Sequence, residues 1–182
     1  MPLHMLRSLL VLALALGLAS CDSASDADLG EFSIALPLAG EPDRTLSAPA
    51  PNGGTAYIGQ GRYPGGSDLV FRIELDAFGA DDGGDLVLSW ADGPDTPALG
   101  DYTLVDYREV AENGLPEGSA VVADVRLETD EPDLSLRVTS GTVTVESTGE
   151  AVAGRLEFVA QRENADGGAV SGTGTFRAVA RP

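Results

Sequence analysis

The chain has 182 residues, 29 acidic side chains against 11 basic ones, and a formal net charge of −18. That balance excludes nucleic acid as a partner, because phosphate binding needs clustered basic side chains, and it disfavours docking on anionic lipid headgroups. Every basic residue is Arg, and the single His (His4) and single Cys (Cys21) both lie near the N-terminus. Beyond Cys21 the chain therefore lacks His, Lys and Cys. Ser-His-Asp and Cys-His catalysis, Lys Schiff bases, and zinc, haem or iron–sulfur ligation by those residues are closed to it. Carboxylates, hydroxyls and Arg remain, which suffices only for chemistry such as carboxylate-pair hydrolysis. The expectation is a non-enzyme with no catalytic residue, no cofactor and no resident metal.

In chain order, His4 and Arg7 precede an apolar run from Leu9 to Leu18. About ten apolar residues is a secretory-signal core and falls well short of the roughly 20 that span a bilayer. The run closes on Leu18-Ala19-Ser20-Cys21. This arrangement resembles the lipobox of bacterial lipoproteins. The resemblance implies cleavage before Cys21, lipid on its thiol, and acylation of the new N-terminus. Several acyl chains hold a protein stably where one does not, so the expected partner at this end is a membrane, through Cys21. Asp22 to Gly30 is small and acidic without periodicity and reads as a flexible tether. Its acids resemble the surface-export signal of lipoproteins in Bacteroidota-like bacteria. Asp22 directly after the cysteine resembles the inner-membrane retention signal of enterobacteria. Of the two, outer membrane or cell surface is the favoured expectation. Three segments follow: a lipoprotein signal peptide over 1–20, a lipidated cysteine and tether over 21–30, and a domain over 31–182.

Period-two alternation dominates that domain, as half-buried strands require. Phe32, Ile34 and Leu36 form a first stripe that Pro37 stops. A loop from Ser47 to Gly54 leads to a strand at Thr55–Gly59. Leu69, Phe71, Ile73 and Leu75 form a stripe with Arg72 and Glu74 opposite, and Leu86, Leu88 and Trp90 another, with a turn over 79–85 between them. After the loop 91–100, Tyr102 and Leu104 alternate. Glu109–Glu112 predicts one helical turn ended by Gly114 and Pro116. Val121, Ala123, Val125 and Leu127 alternate next. Leu134, Leu136 and Val138 lead to Gly141, where a bulge or break is expected. Val143 and Val145, then Gly154, Leu156, Phe158 and Ala160, then Val170, Gly172, Gly174, Phe176 and Ala178 complete an antiparallel meander. Gly172 and Gly174 stand on the apolar stripe, which predicts close approach by a neighbouring backbone, a large side chain or a ligand.

The segments Gly141-Thr142-Val143-Thr144-Val145, Val152-Ala153-Gly154-Arg155-Leu156-Glu157-Phe158 and Val170-Ser171-Gly172-Thr173-Gly174-Thr175-Phe176 look like the closing strands of small β-rich lipoproteins of Bacteroidota- and Rhodothermota-like bacteria. That resemblance implies an all-β lipoprotein and supplies no catalytic residues. The fold expected is a single all-β domain of eight to ten antiparallel strands, closed as a sandwich or flattened barrel.

Two constellations invite a ligand. Asp81, Asp82 and Asp85 cluster oxygens as calcium prefers, with Asp92, Asp95 and Asp101 near enough in sequence to join them, but the spacing is not that of an EF-hand and a solvated turn is the plainer reading. Tyr63, in the loop Gly61-Arg62-Tyr63-Pro64-Gly65-Gly66, is the aromatic best placed to meet a sugar, with Tyr57, Tyr102, Tyr107 and Trp90 as further members of a platform; Trp90 continues an apolar stripe and belongs to the core. The expected function is non-enzymatic binding or scaffolding in the cell envelope, with a protein or glycan partner. A carbohydrate- or small-ligand-binding surface module and a carboxylate-only hydrolase are the alternatives.

Overall fold

The computed structural model describes residues 30–38, 43–48, 55–62, 66–77, 83–127, 134–163 and 168–181. The signal-like segment with Cys21, the acidic tether, Tyr63, Asp81 and Asp82 lie outside the described residues.

Alternating side chains make strands here because each strand has one face in the core and one in water. In chain order these are β1 (Glu31–Leu36), β2 (Arg44–Ala48), β3 (Thr55–Gly61), β4 (Val70–Ala77), β5 (Gly84–Trp90) and β6 (Gly100–Asp106), then the short helix α1 (Tyr107–Asn113), then β7 (Ser119–Leu127), β8 (Leu134–Ser147), β9 (Ala151–Arg162) and β10 (Ala169–Ala180). Eight of them close a barrel in the order β10-β3-β4-β5-β7-β6-β8-β9 and back to β10. The all-β expectation holds, and between sandwich and barrel the barrel is the outcome.

Closure is made by β10, which pairs antiparallel with β9 over its full length and parallel with β3 through Val179–Tyr57 and Ala180–Ile58. The other parallel pair is β6–β7, joined by α1 in a compact β-α-β unit. The β1–β2 hairpin is the extra element. β1 takes the edge of β10 that β3 leaves free, pairing Glu31 to Ala35 with Arg177 to Thr173. β2 then pairs with β1 on its far side. A strand at Arg44–Ala48 corrects the expectation that Ser47 opens a loop.

Core side chains come from every strand, led by Trp90, Ile34, Leu36, Ile73, Leu88 and Leu156. An eight-stranded barrel is just wide enough for its side chains to fill it. Three details differ from the alternation. Leu69 precedes β4 and is 53 % exposed, so the buried stripe is Phe71, Ile73, Leu75 and Ala77. In β7 the partners of Leu86 and Leu88 are Val125 and Val122, which places a bulge at 123–124. The core set is therefore Ala120, Val122 and Val125, while Val121 is buried outside the barrel core. In β8 the bulge falls between Val138 and Ser140, just before Gly141, and the strand runs on through the glycine.

Glycines in the last three strands make room for rings. Gly172 pairs with Phe158 and Gly154 with Phe176; a Cβ on either glycine would meet the partner's ring. Gly174 faces Ile34 and the Ser33 carbonyl just as closely. The close approach expected at Gly172 and Gly174 is thus made by Phe158, Ile34 and the β1 backbone.

The loop 91–99 straps one end of the barrel. Its carbonyls accept from Phe71 N at Gly93 (2.7 Å), from Gln60 Nε2 at Pro94 (3.2 Å) and from the Tyr102 hydroxyl at Ala98 (3.1 Å). Ala91 N donates to Ser119 O (3.1 Å), and Asp92 Oδ1 accepts from Gly118 N (3.3 Å). Strands β3, β4, β6 and β7 are tied through this one loop.

Candidate functional site

α1 begins where Asp106 ends β6. One carboxylate oxygen of Asp106 caps the helix by accepting from Arg108 N (3.0 Å), and the other receives Arg137 Nη1 (3.0 Å). Arg137 also donates to Gln161 (3.0 Å). Beside it Arg108 bonds Glu163 at 2.6 Å and lies against the Tyr107 ring, whose hydroxyl accepts from Arg108 Nε at 3.4 Å. That hydrogen bond holds the Arg108 guanidinium above its ordinary pKa. Gly114, at φ 80°, ends the helix and bonds the Val110 carbonyl. The predicted turn at Glu109–Glu112 sits inside this helix. Acid is matched by base throughout, so the network binds the barrel's own elements together.

Among the described residues the aromatics do not form one platform. Trp90 is fully buried, with Phe71 and Tyr102 edge-on at 5.6 and 6.2 Å. Burial pushes the Tyr102 phenol above its usual pKa, the Asp92 carboxylate adds to the rise, and the bond to Ala98 opposes it. Tyr57 lies under Arg181, which pairs with Glu74 (2.7 Å). Tyr107 serves the helix start.

The described acids are dispersed as well. Asp85 is in β5, next to Asp76 on one side and Arg126 on the other. The 92–101 segment leaves from the opposite end of β5, about 17 Å along the strand. Asp92 is committed to Gly118 N, and Asp101 to Thr144 Oγ1 (2.6 Å). The idea that Asp92, Asp95 and Asp101 join Asp85 is overturned by strand length. Among the described residues no group of three or more His, Cys, Asp or Glu could hold a metal ion.

Concave surface lies instead on the outer wall of the barrel, where no local motif marks it. A cleft of about 540 Å³ crosses the wall made by β8, β9, β10 and β1 and reaches the end of β2. Its lining includes Glu31, Ser33, Glu146, Thr175 and Arg177, together with edges of the buried Phe32 and Phe176. A second cleft of about 300 Å³ continues along β8, β9 and β10, past Thr142, Glu157, Val159 and Thr173. Both lie in the size range of ligand sites. Glu146 is bonded to Arg155 (2.6 Å). Arg177, half-buried and directly opposite Glu31 in the register, makes no ion pair with a described residue.

No family model, no curated protein and no solved structure matches this chain.

Proposed function

We propose that the chain is a lipid-anchored protein of a bacterial cell envelope whose barrel binds or scaffolds without catalysis. The observation that carries the reading is Leu18-Ala19-Ser20-Cys21, with the chain's only cysteine at the close of a ten-residue apolar run. Acyl chains at Cys21 would fix the protein to a membrane, and the acidic segment after it would set the barrel off from the surface. No helix among the described residues is long and apolar enough to cross a membrane. A core filled by side chains from every strand leaves recognition to the outer wall.

A second reading, a carbohydrate- or small-ligand-binding surface module, is favoured by the clefts on that wall. A carboxylate-only hydrolase draws less support. Glu31 and Glu146 share the larger cleft, yet both are exposed and Glu146 is engaged by Arg155. A general acid of that chemistry sits in an apolar pocket.

The test is expression of the wild type and Cys21→Ala in a host that processes lipoproteins, followed by fractionation and intact-mass measurement. The wild type should partition with membranes and carry acyl mass, and Cys21→Ala should lose both. Unchanged membrane association of an acylated Cys21→Ala product overturns the anchor. Protease shaving of intact cells then assigns the face: loss of the protein places it at the surface, and protection until lysis places it in the periplasm.

A further inference from the structure

We propose that the transverse wall of β8, β9, β10, β1 and β2 is a binding face for a neutral polysaccharide, centred on Thr173, Thr175, Ser33, Glu31 and Arg177. This rests on the binding reading above and gives that reading a site and a ligand class.

The argument starts from register. Thr144, Arg155, Thr175, Ser33 and Ser47 are consecutive cross-strand partners, one per strand. Two residues along, Thr142, Glu157, Thr173, Ala35 and Thr45 make a second row. All of these are at least partly exposed. β8, β10 and β2 each show hydroxyls in both rows, with the Thr144 hydroxyl donating to Asp101 (2.6 Å), and β9 between β8 and β10 shows Arg and Glu. Strands are spaced about 4.8 Å apart and successive outward residues about 6.7 Å apart, so the hydroxyls form a regular lattice. A Ser or Thr hydroxyl both donates and accepts, as does every hydroxyl of a sugar, whereas Glu only accepts and Arg only donates. A surface that offers all three in alternation is complementary to a polyol along its length.

Charge selects the ligand further. The protein is strongly acidic, but the larger cleft is balanced: Glu31 stands against Arg177, and Glu146 against Arg155. An anionic glycan would meet the field of the whole molecule, and a cation would find no concentrated acid in this cleft. Arg177 and Glu31 lack ion-pair partners among the described residues, which leaves a donor and an acceptor free at the centre. Phe176, Gly154's partner on β10, is itself buried in the core, so recognition on this wall falls to the hydroxyls and to the Glu31 and Arg177 side chains.

The experiment is retention of the full chain, purified in detergent, on cellulose, amylose and dextran, with pectin as the acidic comparison. The wild type should be retained on at least one neutral polymer and less on pectin. Thr173→Val with Thr175→Val removes two hydroxyls while keeping shape and strand propensity; retention should fall about tenfold, with an unchanged melting temperature. Arg177→Gln is the second variant should the first fold poorly, and it should weaken retention comparably. Absence of wild-type retention on all three neutral polymers, equal retention of the variants, or preference for pectin overturns the proposal. Anchoring is read separately by fractionation, so either idea can fail alone.

Discussion

The ring of Phe158 occupies the place where a side chain of Gly172, its partner on the neighbouring strand, would stand. Bare backbone is thereby covered, and the sheet can coil tightly enough to close. Gly172→Ala is expected to destabilise the barrel by about 1–3 kcal/mol through overpacking. Phe158→Leu should cost stability alone but recover part of the loss when combined with Gly172→Ala. Denaturant unfolding of the four-membered mutant cycle checks this; strictly additive costs would show that the two residues do not share one space.

Trp90 is the chain's single tryptophan and lies wholly inside, between Phe71 and Tyr102. Its fluorescence should shift to the red only when the whole barrel opens. Trp90→Ala should cost about 3–5 kcal/mol. Trp90→Phe should cost less, because the indole N–H has no acceptor among the described residues and its removal forfeits no hydrogen bond there. Equal losses for the two variants in urea titrations would contradict that account.

Alkaline pH should weaken the barrel through Tyr102. Its phenol is held protonated above the ordinary value of 10.0, chiefly by burial. Over that interval the folded state keeps a proton that the unfolded chain has released, so stability falls as pH rises past 10.0. Tyr102→Phe should remove part of that decline while lowering stability slightly at neutral pH, where its bond to Ala98 is lost. Thermal melts of both proteins from pH 7 to 11 test the sign.

Asp106 joins a helix cap to an ion pair, with side-chain exposures of 12 % for Asp106 and 20 % for Arg137. Asp106→Asn keeps a capping oxygen and loses the charge. Asp106→Ala loses both and should cost about 1–3 kcal/mol, the larger effect of the two. Calorimetry at low and high salt should show the Asn variant approaching wild type as salt rises, since screening weakens what it has lost.

Stripes such as Phe32–Ile34–Leu36 and Leu86–Leu88–Trp90 were legible because each has one dry face and no competing frame. β2 was not: Leu46 and Ala48 are only two apolar positions, hemmed by Pro42 and Pro49, and the strand exists because β1 offers it an edge. The bulge in β7 was hidden by its composition. Ser119-Ala120-Val121-Val122 reads as alternating in either frame, and the choice is made by β5, some thirty residues upstream. Glycines opposite large side chains were legible as points of close approach. The wall of hydroxyls was not, since it joins Ser33 to Thr175 and Thr144, and nothing local announces which strands will lie side by side.

β10 follows every other described strand, yet β1, β3 and β9 all depend on it. During synthesis the edges of those three strands stay bare until the final dozen strand residues, Ala169–Ala180, have emerged. A growing chain therefore passes through a long interval as an open, sticky sheet, and its yield in a cell is governed by whatever shelters those edges before the seam is sewn.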